Sequence, residues 1–336
     1  MRFRRIVLIG IVVVMVPVIA VFALWGTRGT VPEARTASAG YTLQTTWHGG
    51  DAPGGPLQRP IGIAAAPSGD VYVTDALPRV VQFGADGRVR RQWGHEGSGR
   101  GEFGNPVGIA VGRDGAVYVS DYEQDRIQKF SPTGEFLMDF GVSGSGQGQF
   151  SAPAGLAVDD DGAIYVGDFY NHRVQKLREN GSFERVIGHP GRLGPGALHY
   201  PTGVAVTRER EVLVADAYNY QLQWFDANGV PIRHVGYHLF WLWPRPVSST
   251  SGFAVPTDAS AGPNGIIHVA DSANHRVVML SARGAYLADW RIPDGNPDIY
   301  SPEHIAVSPD GSTVYATDLA ANRVLVLNVA MPNRGR

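Results

Sequence analysis

Three features of this 336-residue sequence predict an all-β fold, a six-bladed β-propeller closed by an N-terminal strand and preceded by a single transmembrane helix. The first is a repeat. A unit typified by Pro153 to Leu177, PAGLAVDDDGAIYVGDFYNHRVQKL, recurs with openings at Pro60, Pro106, Pro153, Pro201, Pro256 and Pro302. Its aspartates fall at Asp75, Asp121, Asp168, Asp216, Asp271 and Asp318. Both series advance by 46, 47, 48 and 55 residues, and the last step is 46 by proline and 47 by aspartate. Periods of this length mean an array, a solenoid or a propeller. The second feature is the pattern inside each unit: an apolar run, a turn, I-Y-V-G-D, another turn and R-V-Q-K-L read as three strands with tight connections. The third is that the final unit lacks a fourth strand while the N-terminal end has one to spare.

Taken in order, the chain opens with Arg2, Arg4 and Arg5 before an uncharged run from Ile6 to Trp25. At 1.5 Å per residue that run spans the roughly 30 Å hydrocarbon core. The arginines favour a cytoplasmic N-terminus. The expected organisation is a cytoplasmic stub at 1–5, a membrane anchor at 6–25, a stalk at 26–40, the propeller at 41–328 and a tail at 329–336. Localisation is then the cell membrane, single-pass, with the propeller outside the cytoplasm. The alternative is secretion after cleavage near Ala39, where Ala37-Ser38-Ala39 forms a small-residue site.

Within each unit the first strand follows the proline, as in Val107 to Val111, the second is a run such as Val117 to Ser120, and the third runs from Arg126 to Phe130. Ile164-Tyr165-Val166 does not alternate apolar with polar, which argues that both faces of the strand are covered, as in stacked blades. A fourth segment ends at Trp93-Gly94, Phe140-Gly141, Ile187-Gly188, Val235-Gly236 and Trp290. The sixth copy has none, whereas Tyr41 to Trp47 matches the pattern; this strand completes the sixth blade and removes the exposed edge. A hydrophobic residue stands three before every proline, at Leu57, Phe103, Phe150, Leu198, Phe253 and Ile299, placed as a plug between blades.

Composition narrows function. With 43% hydrophobic residues, 43 glycines and 23 prolines the chain is globular and turn-rich. Its net charge of −2 lacks the basic footprint of a nucleic-acid binder, so nucleic acid is excluded as a partner. The absence of cysteine excludes disulfides, thiolate nucleophiles and thiolate metal sites.

The motifs P-x-G-[ILV]-A-V, [IV]-Y-V-x-D and D-x-x-N-x-R-V resemble NHL repeats over about Tyr41 to Asn328. Copies three and five carry the full D-x-x-N-x-R, as Asp168, Asn171, Arg173 and Asp271, Asn274, Arg276, while copy four has Gln221 for the arginine. The resemblance implies a fold and leaves function open. The repeated aspartate and arginine read as a tie across a turn, because a catalytic pair needs to occur once. The glycine-rich loops from Gly97 and Gly144 precede no helix and so do not read as phosphate cradles. His172 and His275 occupy the same slot two blades apart and read as solvated loop histidines.

Two departures from the repeat mark candidate sites. Where copies one to four have Gly62, Gly108, Gly155 and Gly203, copies five and six have Asp258 and His304, with Glu303 adjacent. First strands line a propeller's channel, so these three are either ligands for a divalent ion, calcium or zinc, or hydrated and paired groups. Amidating lyases with NHL-type blades use three histidines for zinc, and only His304 has a counterpart; calcium-dependent lactonase propellers resemble the chain through Asp258 and Glu303 alone. The second departure is aromatic. Phe240, Trp241 and Trp243 lie in a long insertion, and Tyr122, Phe169, Tyr170, Tyr218 and Tyr220 lie in turns between second and third strands, all expected on one face. Clustered exposed rings mark a binding surface for a protein, peptide or glycan. Phe240 to Trp243 folding back as a lid is the competing reading.

The expected function is a membrane-anchored, non-catalytic binding or sensor module, a placement that resembles the NHL propellers of receptor-like kinases. The alternative is a metal-assisted hydrolase or lyase with its site at the channel mouth.

Overall fold

Second strands show no alternation of buried and exposed residues, and all five residues are buried in Val71–Asp75, Val117–Asp121, Ile164–Asp168, Val212–Asp216 and Ile267–Asp271. A strand covered on both faces needs a sheet on each side, and the fold supplies one. In the computed structural model, which describes residues 40–236, 238–240, 243–245, 252–291 and 301–330, six four-stranded antiparallel sheets form a closed ring. Blades 1 to 6 begin at Ile63, Pro106, Pro153, Pro201, Pro256 and Pro302. Within blades 1 to 5 the four strands follow chain order.

Blade 6 is closed as the sequence predicts. Gly40–Trp47 pairs antiparallel with Arg323–Ala330, Trp47 opposite Val324, and becomes the outer strand of that sheet. The partner strand reaches Ala330, two residues past the expected end, because Gly40 and Tyr41 extend the ladder to Ala330 and Val329. Trp47 then wedges between blades 6 and 1: its ring stacks on Phe83 at 5.4 Å and lies 5.3 Å from Tyr315. On the other side of blade 6, Tyr41 Oη lies 2.6 Å from His268 Nδ1 of blade 5. One strand therefore ties three blades.

The core is divided among the interfaces, with one apolar cluster at each of the six blade junctions. Leu57, Phe103, Phe150, Leu198 and Phe253 are buried in these clusters, as plugs should be; Ile299 lies outside the described residues. The glycine that ends a fourth strand is explained by the plug. A Cβ on Gly94, Gly141, Gly188 or Gly236 would lie 2.4 to 2.7 Å from Phe103, Phe150, Leu198 or Phe253 respectively, and each glycine has positive φ.

Two kinds of element escaped the sequence reading. Short parallel bridges join Val142–Ser143 to Gln149–Phe150 and His189–Pro190 to Ala197–Leu198 in the interblade loops. Inside the insertion, His238–Phe240 pairs with Trp243–Arg245 as a hairpin. Among the described residues no helix is long and apolar enough to cross a membrane; the expected anchor at 6–25 and the stalk lie outside them.

Two predictions follow from the closure. Trp47→Ala leaves a cavity between blades and should cost about 3–5 kcal/mol in denaturant unfolding, whereas Leu43→Ala in the same strand, on an exposed side chain, should stay within about 0.5 kcal/mol. Burial holds the His268 imidazole down to about 3. Its unfolded value is about 6.5, so the unfolded chain takes a proton that the folded chain refuses. This contribution is complete above about pH 6.5 and is lost at about 1.4 kcal/mol per unit as pH falls toward 3. His268→Leu, the residue type at Leu213 of blade 4, should flatten that part of the stability profile.

Candidate functional site

One face of the ring carries both the turns between second and third strands and the loops that enter each blade. Its shape is set by the six repeated aspartates, all fully buried. Each carboxylate accepts the backbone N–H seventeen residues earlier: Gln58, Gly104, Ser151, His199, Ala254 and Ser301 donate at 2.7 to 3.4 Å. The same carboxylate binds its own turn. Asp168 takes Asn171 Nδ2 at 2.9 Å, Arg173 Nε at 2.8 Å and Gln175 Nε2 at 3.0 Å. Arg173 continues to Gly146 O and Gln149 O in the incoming loop. The tie across the turn predicted from sequence is present, and it extends to the loop before the blade. In blade 4 Gln221 replaces the arginine, and burial pushes the Asp216 carboxyl up to about 6 against its amide donors.

The turns of blades 3, 4 and 5 tighten into 3₁₀ segments, Phe169–Asn171, Ala217–Asn219 and Ser272–Asn274, each ended by a left-handed residue, His172, Tyr220 or His275. This slot also staples neighbouring blades. Asp125 Oδ1, His172 Nδ1 and Asn322 Oδ1 accept the N–H of Ala152, Tyr200 and Arg59, the residue before the next blade's proline. His172 is thus a structural acceptor, neutral with its proton on Nε2, where the sequence suggested a solvated side chain.

Rings collect on blades 2 to 4. Phe169 is the hub, with centroids 6.0 Å from Tyr122, 5.1 Å from Tyr170, 4.8 Å from Tyr200 and 6.5 Å from Tyr218. Tyr200 lies 5.1 Å from Tyr218, 4.4 Å from His172 and 4.5 Å from His199, and the two imidazoles stack at 5.2 Å. Four predicted residues, Tyr122, Phe169, Tyr170 and Tyr218, are brought together; Tyr220 has no ring contact among the described residues. Phe240 and Trp243 are paired across the insertion hairpin, and Trp241 lies outside the described residues. Sequence reasoning missed His199 and Tyr200, the two residues before Pro201. The signal was an aromatic pair in the slot that elsewhere holds polar or small residues such as Gln58-Arg59 and Ser151-Ala152.

Burial dominates the wall's electrostatics. It pushes the Tyr122, Tyr218 and Tyr220 phenols up. The same burial, helped by the nearby Arg192 charge, lowers His172 and holds His199 down to about 4. Among the described residues, Tyr122 Oη and His199 Nδ1 are buried with no hydrogen bond of good geometry, the phenol set against Tyr170 and the imidazole against the Tyr218 backbone.

The central channel narrows beside this wall, at the start of the first strands, and its cavity lies further along them. Its cavity, about 230 Å³, is lined by first strands of all six blades. At its narrow end backbones nearly touch: a Cβ on Gly62 or Gly108 would lie 2.1 Å from Val107 O or Ala154 O of the next blade. Hydroxyls seal five of six junctions, through Thr74 to Val107 O, Ser120 to Ala154 O, Thr202 to Pro256 O, Thr257 to Pro302 O and Thr317 to Ile61 O. Asp258 and His304 stand where the other blades have glycine, and Gly203 makes room for them, since a Cβ there would sit 2.3 Å from Asp258 Oδ1.

Of the candidate metal ligands the structure brings two together. Asp258 Oδ2 lies 3.3 Å from His304 Nδ1 and accepts Ile305 N–H at 3.0 Å. Glu303 turns instead to Ser301 Oγ at 3.0 Å and Ser272 Oγ at 3.3 Å. Among the described residues no group of three or more histidine, aspartate or glutamate side chains is placed to hold a metal ion. Burial works most strongly against the His304 imidazolium, yet the Asp258 charge and hydrogen bond together with the Glu303 charge outweigh it and the net shift is upward. Burial pushes the Glu303 carboxyl up.

The NHL repeat signature matches residues 103–130, 150–177 and 198–225, each running from a plug residue to the end of a third strand in blades 2, 3 and 4. No curated protein matches the chain. Among solved structures, streptogramin B lyase is similar at 14% identity and a TM-score of 0.59, over 88% of this chain and all of that one. Hydrazine synthase from Kuenenia stuttgartiensis is similar at 15% identity and 0.57, over 82% and 97%. Virginiamycin B lyase from Staphylococcus aureus, at 14% and 0.57, covers 88% and 90%. At these identities the likeness is one of fold.

The Asp258–His304 pair yields a titration test. A raised folded value means the pair's stabilisation is complete below about pH 6.5 and is lost as pH rises through the folded value. Imidazole NMR should show His304 titrating above about 6.5, and Asp258→Asn should move it below, because burial, the largest influence, is then opposed only by the Glu303 charge.

Proposed function

We propose that this chain is a non-catalytic binding propeller that takes an extracytoplasmic protein, peptide or glycan on its loop face, tethered to the membrane through residues 6–25. The observation that carries the reading is the continuous set of seven rings, Tyr122, Phe169, Tyr170, His172, His199, Tyr200 and Tyr218, on one side of the channel mouth. Opposite them, the positions that follow the buried aspartates carry Ser272-Ala273, Leu319-Ala320 and Ala76-Leu77. A wall of rings faces small and aliphatic side chains. Rings offer a large contact area at small entropic cost, and they stack on sugars or enclose apolar side chains. Sixfold ties beneath the wall supply preorganisation, which reduces the ordering cost of binding.

A second reading, a hydrolase or lyase acting at the mouth, is favoured by the Asp258–His304 pair. A carboxylate that holds one imidazole nitrogen leaves Nε2 for proton transfer, the arrangement of a general base. Turnover of a lactone or ester panel, with and without added calcium or zinc, that vanishes in His304→Gln would establish this reading in place of the first.

The binding reading is tested by screening the full-length chain in nanodiscs against glycan and peptide arrays. For the strongest hit, Phe169→Ala or Tyr218→Ala should weaken binding about thirtyfold or more, the loss of about 2 kcal/mol expected of a central aromatic anchor. Asp114→Ala, on the opposite face, should leave affinity unchanged. Full affinity in both ring variants would remove the wall from the site.

A further inference from the structure

Blade 4 departs from the tie that the other blades repeat. In five blades the buried aspartate has its own arginine: Asp75–Arg79 at 2.9 Å, Asp121–Arg126 at 3.9 Å, and Asp168–Arg173, Asp271–Arg276 and Asp318–Arg323 at 2.8 Å. Asp216 has Gln221 instead. Its carboxylate accepts four neutral N–H donors, the His199 backbone and the Asn219, Gln221 and Gln223 amides, at 2.7 to 3.0 Å. Among the described residues no cation lies within ion-pair distance of it, and the largest influences on it are burial and those four hydrogen bonds.

A glutamine Nε2 stands as many bonds from the backbone as an arginine Nε. Gln221 therefore supplies the inner bond, 2.8 Å to Asp216 Oδ2, that Arg173 Nε makes to Asp168 Oδ2 at the same distance. It does not supply the outer fork. In blades 2 and 3 that fork crosses to carbonyls 27 and 24 residues earlier in the incoming loop: Arg126 Nη2 donates to Gly99 O and Glu102 O at 2.9 and 2.8 Å, and Arg173 Nη2 to Gly146 O and Gln149 O at 2.7 and 3.1 Å. The same offsets from Gln221 lead to Gly194 and Ala197. Ala197 O accepts from Gln223 and Asn219, whereas Gly194 O has, among the described residues, only the Ala197 N–H at 3.2 Å. Asn219 Oδ1, in the same turn, is buried without a donor. The place is open to solvent, because the Arg126 and Arg173 side chains that fill it in blades 2 and 3 are 11% and 13% exposed and Gly194 is itself exposed.

We propose that blade 4 takes a guanidinium group from outside the chain, the side chain of an arginine in a peptide or protein ligand, seated over Gly194 O and Ala197 O with its charge beside Asp216, where the other blades use their own arginine. A planar fork matches two loop carbonyls as a compact ammonium does not. A buried carboxylate with neutral donors only gains from the cation they do not provide. The same carboxylate holds the N–H of His199, whose ring lies 6.0 Å from that of Tyr218, so the remainder of such a ligand meets the ring wall. The inference rests on the loop-face binding reading for that remainder and adds the one side chain the ligand presents.

The test measures, by ligand-observed NMR, the affinity of the full-length chain for N-acetyl-arginine amide, N-acetyl-citrulline amide and N-acetyl-lysine amide. Citrulline keeps the shape without the charge, and lysine keeps the charge without the fork. The expected result is a preference for arginine over each of the others of about tenfold or more, what one charge-assisted hydrogen bond contributes. Methylguanidinium, run alongside, should bind more weakly than the arginine probe; equal binding would assign the place to a small guanidinium compound and overturn the peptide source. Gln221→Arg rebuilds the tie of the other blades, so it should raise the melting temperature and weaken the arginine probe by about tenfold or more. Arginine binding that persists in Gln221→Arg would overturn the inference, as would equal binding of arginine and citrulline, equal binding of arginine and lysine, or no binding of arginine. A Gln221→Arg chain that fails to fold would overturn it too, since the place would then have no room for the group. An array hit lost in Phe169→Ala and kept in Gln221→Arg would uphold the ring wall and count against the guanidinium, so the two readings fail separately.

Discussion

A buried carboxylate that accepts hydrogen bonds from two separate stretches of chain is the contact on which this loop face depends. Six times, an aspartate with no solvent exposure ends a second strand, holds its own turn and captures an N–H of the loop leading into its blade. Desolvating a carboxylate is costly, and only several well-placed donors make it tolerable. Asp168 has amide, guanidinium and backbone donors together. Since loops otherwise tend to be mobile, such a tie at each blade turns six connections into a fixed surface. Side chains placed on that surface inherit its rigidity.

Function is then to be sought where copies differ. Four blades keep glycine at the channel because the neighbouring backbone lies too close for a Cβ. Two blades place Asp258 and His304 there, which breaks the symmetry of the pore. Blades 2 to 4 bear rings after the buried aspartate, and the other three bear small or aliphatic residues. A ring with repeated structure and unrepeated decoration has one distinct loop face, aromatic over blades 2 to 4 and small or aliphatic over the rest.

Much of this was legible in the sequence because the repeat reports it many times over. The proline and aspartate series fixed blade number, the missing fourth strand fixed closure, and the residue three before each proline fixed the plugs, of which Phe103 and Phe150 are wholly buried. What a single copy contributes was harder to read. Tyr200 and His199 join the wall because the loop before blade 4 folds against the turn of blade 3, a contact between residues 28 apart that no periodicity marks. Glu303 looked like a partner for Asp258 and His304 by adjacency, yet alternate residues of a strand point opposite ways, and its carboxylate is drawn to the Ser272 and Ser301 hydroxyls. The closing contact between Tyr41 and His268 spans 227 residues and carried no local signal.

If the carboxylate ties hold the loop face, their protection must be visible in solution. Amide hydrogen exchange at Gln58, Gly104, Ser151, His199, Ala254 and Ser301 measures it directly, since each lies in a connecting loop and donates to a buried aspartate. The account predicts that these six amides exchange as slowly as those of the second strands, opening only with the whole ring. Exchange at the rate of ordinary loop amides would contradict it, because the surface that carries the ring wall would then be mobile.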